Sequence, residues 1–400
     1  MRDVDKAKLV FESLTPFSKL KDLVQYGSPE MIERFLTNNE VDVKALDDSG
    51  KNLLYYAISA SNNENVKYLI TKEPALTEFK TIEGKNLLHI AILQGEKEIV
   101  NKLVSDTNID RNHQDNKGFS PLHDAMLFSD HETIEMLLKK EANPYLVNKE
   151  GETPLFTALN IHNKLNRFNE KIKFNIRRNM KKLIDYGVSF NSFNEEGKTP
   201  VMSSVESNSV DIIKMAIALK TDLNIKDVSG NAAIHYAAND MNLNVVKMLV
   251  LNGADINLTD SKGLTAPIIN AKKGFIQKDF MEFYTDPANG YHINTQDNEG
   301  NTLLHYCVSK KQIGGDEVVK HLVAHGGDIT IKNNQGQTPL DIAVSEEIKS
   351  MLKKHMPEEK SMLEFSVPSA NKILSKLSEK MNEKEMDMEL PGVMKGGLKA

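Results

Sequence analysis

The chain has 400 residues, of which 40% are hydrophobic and 26% charged, a balance that excludes a wholly disordered polymer. A formal charge of -6 gives no global attraction to nucleic acid or to an anionic membrane, so any anion contact has to be local. The one cysteine, Cys307, can close no internal disulfide and build no CxxC zinc site, which fits a reducing compartment. The charged opening MRDVDKAKLVFESL and the lack of an 18-residue apolar run predict a soluble chain without a secretory signal or a membrane-spanning helix.

Residues 1–46 come first and read as an N-terminal helical cap, because VQYGSPEMIERFLTNNEVDVKALD carries an amphipathic helical phrase with no good turn in front of it. A turn signal then recurs. Its glycines are Gly50, Gly84, Gly118, Gly151, Gly197, Gly230, Gly263, Gly300 and Gly336, separated by 34, 34, 33, 46, 33, 33, 37 and 36 residues. They mark nine units, numbered here 1 to 9. Glycine supplies the positive φ of a tight turn. Three residues before it stand Asp47, Asp115, Asn148, Asn194, Asp227, Asp260, Asp297 and Asn333, whose short polar side chains can bond local backbone. Thr81 is the departure, in unit 2.

Each turn leads into a helix. Two residues after the glycine, Asn52, Asn86, Ser120, Thr153, Thr199, Thr265, Thr302 and Thr338 are N-caps. Pro121, Pro154, Pro200 and Pro339 follow at the first helical position, where a missing N–H costs nothing. Next come apolar anchors such as Leu54, Leu88, Leu122 and Leu155. Three residues further lies a small residue such as Ala57, Ala91, Ala125 or Ala158, with Ser204 and Cys307 as substitutes. Unit 7, GLTAPIINA, fits this register if one residue is inserted before Pro267, which brings Ile268 and Ala271 into place. A second amphipathic helix completes each unit, as in EIVNKLV and TIEMLLKK.

A period near 33 with a turn and two helices resembles the ankyrin repeat, over residues 47–355. The resemblance implies an all-α solenoid of about nine helix-turn-helix units with projecting β-turn fingers. Neither helix of a unit buries its apolar face alone, so stacking makes one continuous core. It implies that His89, His123, His235 and His305, all at one place in the module, tie neighbouring turns together. It also implies recognition of a partner protein through turn tips and the exposed face of the first helix.

Counting from each glycine to those places finds mostly polar residues, but units 2 to 5 carry Ile82, Leu93, Phe119, Leu127, Phe128, Ile161 and Phe193. These are the candidate partner-binding residues, since exposed apolar clusters on solenoids await partners. The competing expectation is that Leu93 and Leu127 pack between helices. No phosphate loop, HExxH pair or zinc spacing occurs, and Cys307 is expected to be buried as an alanine substitute. The prediction is therefore a non-catalytic binder without cofactor or metal; an enzyme or enzyme-like effector with an unfamiliar site is the alternative.

Unit 4 is thirteen residues longer than a 33-residue unit, and the surplus is expected between its two helices. Residues 160–182 carry Lys164, Arg167, Lys171, Lys173, Arg177, Arg178, Lys181 and Lys182 against Glu170. This segment reads either as a lengthened helix pair with a solvated basic face or as a contact for an acidic protein, an anionic lipid or nucleic acid. Residues 356–400 read as a partly disordered tail with one amphipathic helix through Ile373, Leu374, Leu377 and Met381. Its Glu379, Glu383, Glu385, Asp387 and Glu389, interrupted by Lys380 and Lys384, are similar to the acidic C-terminal signals of bacterial type IV-secreted effectors. That resemblance sets a host-cell cytosol beside the cytoplasm as an expected location.

Overall fold

The computed structural model describes residues 15–165, 169–274, 277–309 and 315–356. Arg167, the first fourteen residues of the expected cap and the expected tail helix with its acidic run lie outside the described residues.

Asp115 shows why the turn forms. Its carbonyl accepts the Gly118 N–H at 2.8 Å, and its Oδ1 accepts the N–H groups of Lys117 and Phe119, both at 2.9 Å. The nine marker glycines all adopt φ between +70° and +80°, the left-handed region that a Cβ disfavours. A Cβ on Gly118 would also stand 2.8 Å from the backbone nitrogen of Lys149, in the next finger. The fingers approach that closely because they bond to one another. Lys149 N–H donates to the Lys117 carbonyl at 3.0 Å, and the same bond links Asn116 to Glu83, Val228 to Glu196, Ser261 to Ser229, Asn298 to Lys262 and Asn334 to Glu299.

Helices follow the turns. An opening pair, α1 (Pro16–Tyr26) and α2 (Pro29–Asn38), precedes the first finger. Units 1 to 3 supply α3 (Leu53–Ser59) with α4 (Asn63–Lys72), α5 (Leu87–Gln94) with α6 (Lys97–Asp106), and α7 (Pro121–Phe128) with α8 (His131–Lys139). Unit 4 supplies α9 (Pro154–Lys164) and α10 (Glu170–Asp185). Units 5 to 7 give α11 (Pro200–Glu206) with α12 (Val210–Ala218), α13 (Ala233–Asn239) with α14 (Leu243–Val250), and α15 (Ala266–Lys272) with α16 (Lys278–Thr285). The last two give α17 (Leu303–Val308) with α18 (Gly315–Ala324), and α19 (Pro339–Ile342) with α20 (Glu346–His355). Among the described residues there are no strands, only an isolated bridge between Lys80 and Asn86. The buried side chains form one cluster running from Leu20 to Leu352, as stacking of half-apolar pairs requires.

Two sequence expectations change. Unit 7 needs no inserted residue: Thr265 caps α15 on schedule, and Pro267 sits at the second helical position, whose N–H also lacks a helical partner. Asn270, not Ala271, then holds the place of the small residue. Its Nδ2 donates to the Ala238 carbonyl at 2.6 Å and its Oδ1 accepts from the buried Tyr284 hydroxyl at 2.5 Å. In unit 4 the surplus falls mainly within the helices rather than between them. α10 has 16 residues, against eight to ten for the other second helices of the nine units.

Candidate protein-binding face

The floor between fingers and first helices is built from polar side chains fixed to the turns. Tyr56, Tyr236 and Tyr306 stand six residues after their glycines, and each donates its hydroxyl to the turn aspartate of its own finger, Asp47, Asp227 and Asp297. In unit 3 the same place holds Asp124, bridged by Lys85 at 2.8 Å, which also reaches Asp115 at 2.9 Å. Lys198 joins Glu196 and Glu206, both at 2.9 Å, and lies over the Tyr236 ring. These bonds set finger and helix at a fixed angle, so the surface is organised before any partner arrives.

The four module histidines are buried and bonded at both ring nitrogens. His123 Nδ1 accepts the Ser120 N–H at 3.0 Å, and Nε2–H donates to the Glu152 carbonyl at 3.0 Å in the next finger. His235 spans Ala232 (2.8 Å) and Leu258 (2.9 Å). His305 spans Thr302 and Gln337, both at 3.1 Å. His89 reaches the Phe119 carbonyl at 3.0 Å. Each therefore joins its own helix start to the following unit. Units 4 and 5 carry Phe156 and Met202 at this place, so the tie is missing there. Tyr145 likewise stands six residues before Gly151, where Asn112, Asn191, Asn224, Asn257 and Asn294 bond across to the next unit through Oδ1.

Cys307 is fully buried in α17, and burial pushes its thiol well above the ordinary range. A thiol held neutral and out of contact with solvent is inert. Ellman's reagent should leave the native chain unmodified and titrate one thiol after denaturation; rapid reaction of the native chain would contradict this burial. Among the described residues, no group of three or more His, Cys, Asp or Glu is placed to hold a metal ion, and no helix is long and apolar enough to cross a membrane.

The seven apolar candidates do not form one patch. Ile82 is 90% and Phe193 68% exposed, both on fingers. Phe128 is exposed at the C-terminal end of α7, while Leu93 and Ile161 are about one-third exposed at the corresponding ends of α5 and α9. An eight-residue helix, about 12 Å long, separates finger from helix end. Leu127 is half-buried against the core. Phe119 is half-buried too, its ring 5.4 Å from that of His123. Neither is the exposed residue expected: Leu127 packs against the core, and Phe119 lies beside the buried histidine. The fingers also expose Val228 (77%), Val147 and Leu46. Counting two or four residues back from Gly230, Gly151 and Gly50 reaches all three.

Of the eight basic candidates, Arg177, Arg178 and Lys182 are engaged inside the protein. Arg177 Nη1 lies 3.0 Å from Asp211 and 3.1 Å from His162, Arg178 lies 3.1 Å from His131, and Lys182 lies 2.9 Å from Glu135. Lys164, Lys171 and Lys181 are exposed and Lys173 is half-exposed.

Stacked helix pairs, laddered turn fingers and a floor bonded to those fingers define a solenoid repeat protein. The chain belongs to the ankyrin-repeat family: the model for ankyrin repeats (3 copies) matches residues 20–115, 171–260 and 263–357, and that for ankyrin repeats (many copies) matches residues 122–167. An ankyrin repeat protein of Rickettsia bellii is 27% identical over 202 residues, 50% of this chain and 86% of that protein. One from Acanthamoeba polyphaga mimivirus is 29% identical over 111 residues, 26% of this chain and 19% of its own length. Human ankyrin repeat domain-containing protein 13C is 31% identical over 103 residues, 25% of this chain and 18% of its own. The chain thus spans most of the rickettsial protein but about a fifth of the other two. Ankyrin repeats serve as protein-interaction scaffolds.

Proposed function

We propose that this chain binds a partner protein without catalysis, along the finger row of units 4 to 6. The observation that supports this reading is the exposure of Phe193 and Val228 on adjacent fingers, with Val147 exposed on the finger before them. The Val228 Cγ1 packs beside Gly197, the turn glycine of the finger that carries Phe193. A large exposed aromatic on a rigid support can anchor an interface hot spot.

Replacing Phe193 and Val228 by Ser should leave the thermal transition in place, since both side chains are solvated. Recovery of the partner by affinity capture, followed by titration, should weaken by at least ~30-fold, the equivalent of a hot spot worth about 2 kcal/mol. Unchanged affinity of the double variant would remove this surface from the account.

A further inference from the structure

Unit 4 carries a feature that protein binding along the fingers does not use. We propose that the projecting start of α10 docks on an anionic membrane surface. The geometry begins with two contacts: Arg178 meets His131, the first residue of α8, and Arg177 meets Asp211, the second residue of α12. The start of α8 is therefore level with residues 178 and 179, where Asn179 also donates to the Ser129 carbonyl at 2.9 Å, and the start of α12 lies within reach of the Arg177 side chain, which also approaches Glu170 at 3.9 Å. Residues 170–176 run on past the start of α8 by about 10 Å, at 1.5 Å per residue.

This overhang is anchored on one side only. Ile176, Asn179, Met180 and Leu183 are buried, while Lys171, Phe174, Arg178 and Lys181, spaced three, four and three apart, form the exposed stripe. Phe174 is 57% exposed and Ile172 lies exposed beside it. The nearby carboxylates are already committed: Asp211 and Glu170 face Arg177, and Glu135 faces Lys139 and Lys182. Lys171, Lys173 and Lys181 make no ion pair among the described residues. Lys171 and Lys173 also sit in or beside the first turn of α10, where the helix dipole opposes a cation. Helix stability does not account for them there.

Lysines without an ion pair among the described residues, around exposed Phe174 and Ile172, match the interfacial membrane mode, in which cations meet anionic headgroups and apolar side chains enter the boundary. An acidic peptide would meet the same charges, but α8 begins several residues later and gives it no wall beside Lys171.

The test is flotation of the full chain with phosphatidylcholine vesicles, with and without phosphatidylserine. Binding should require phosphatidylserine and weaken with added salt. One cation near an anionic leaflet contributes about fivefold in affinity, so a Lys171→Glu, Lys173→Glu double variant should bind at least about 25-fold more weakly. Phe174→Ser should weaken binding while keeping the salt dependence. These side chains are solvated, so the variants should melt as the parent does, and the finger variant with Phe193 and Val228 replaced should float normally. Absence of binding to phosphatidylserine vesicles overturns the proposal, as does binding unchanged in both variants. Retention on immobilised polyglutamate without vesicle binding also overturns it and assigns the ridge to an acidic protein.

Discussion

As the pH falls below about 6.5, the ordinary histidine pKa, the folded chain should lose stability. Buried imidazoles are the cause. His123, His235 and His305 are buried, and burial lowers the pKa of each. Their geometry opposes a second proton independently, because Nδ1 of each already accepts a backbone N–H from the helix start. Neighbouring Glu152, Asp260 and Asp297 pull the other way without reversing the direction.

The unfolded chain therefore binds more protons than the folded one just below the unfolded pKa. Stability is fully present above that value and falls as the pH drops toward the depressed folded values. Each site adds a slope of at most about 1.4 kcal/mol per pH unit. His89 contributes over the same interval, since its loss also begins at the unfolded pKa: burial pushes it down to about 4, although its Nδ1 faces Asn86 Oδ1 at 2.8 Å, an acceptor for the added proton. Urea unfolding followed from pH 7 to pH 5 measures the slope, and a His305→Gln variant should reduce it by up to about 1.4 kcal/mol per pH unit. Stability that stays flat across this interval would contradict neutral, bonded histidines. A solenoid can unfold in segments, so hydrogen exchange should locate the early loss at the units these residues join.

What was legible in the sequence follows the range of the forces. The Asp-x-x-Gly turns and the Ser or Thr caps are settled within a few residues, as Asp115 with Gly118 and Thr199 with Met202 show, so pattern alone locates them. The Asn ladder six residues before the glycines has its partners 31 to 35 residues away. Its regular spacing is visible, but its role is not until the units are stacked. The basic composition of unit 4 is plain from residue types, whereas its helical form depends on Ile176, Met180 and Leu183 finding the core. Position counting separated finger tips from helix faces, but it could not show that the packing of neighbouring helices covers Leu127. Val147 stands at the same count as Phe193, and Val228 at the same count as Ile82, although neither valine is among the seven candidates.

Replacing Lys85 by Met should destabilise the chain by about 3 kcal/mol, the low end of the range for breaking a buried ion pair. Lys85 is the cation for two buried carboxylates, Asp115 at 2.9 Å and Asp124 at 2.8 Å. Its own side chain is 21% exposed, so water softens the loss, hence the low end. The two aspartates differ in what remains to them. Asp115 keeps the N–H groups of Lys117 and Phe119, whereas Asp124 loses its bridging cation in a place where burial already raises its pKa against the pull of Lys85. Asp124 should therefore take up a proton in the variant, and the deficit should shrink as the pH is lowered through the range in which it does so. Adding Asp124→Asn should recover most of the stability at neutral pH, because an amide needs no counter-charge while Asp115 stays bonded to its turn. Chemical denaturation of the two variants separates the outcomes. A Lys85→Met cost below about 1 kcal/mol would place this cluster with ordinary surface pairs, and a double variant no more stable than the single one would mean that Asp115, not Asp124, is the carboxylate that needs the lysine.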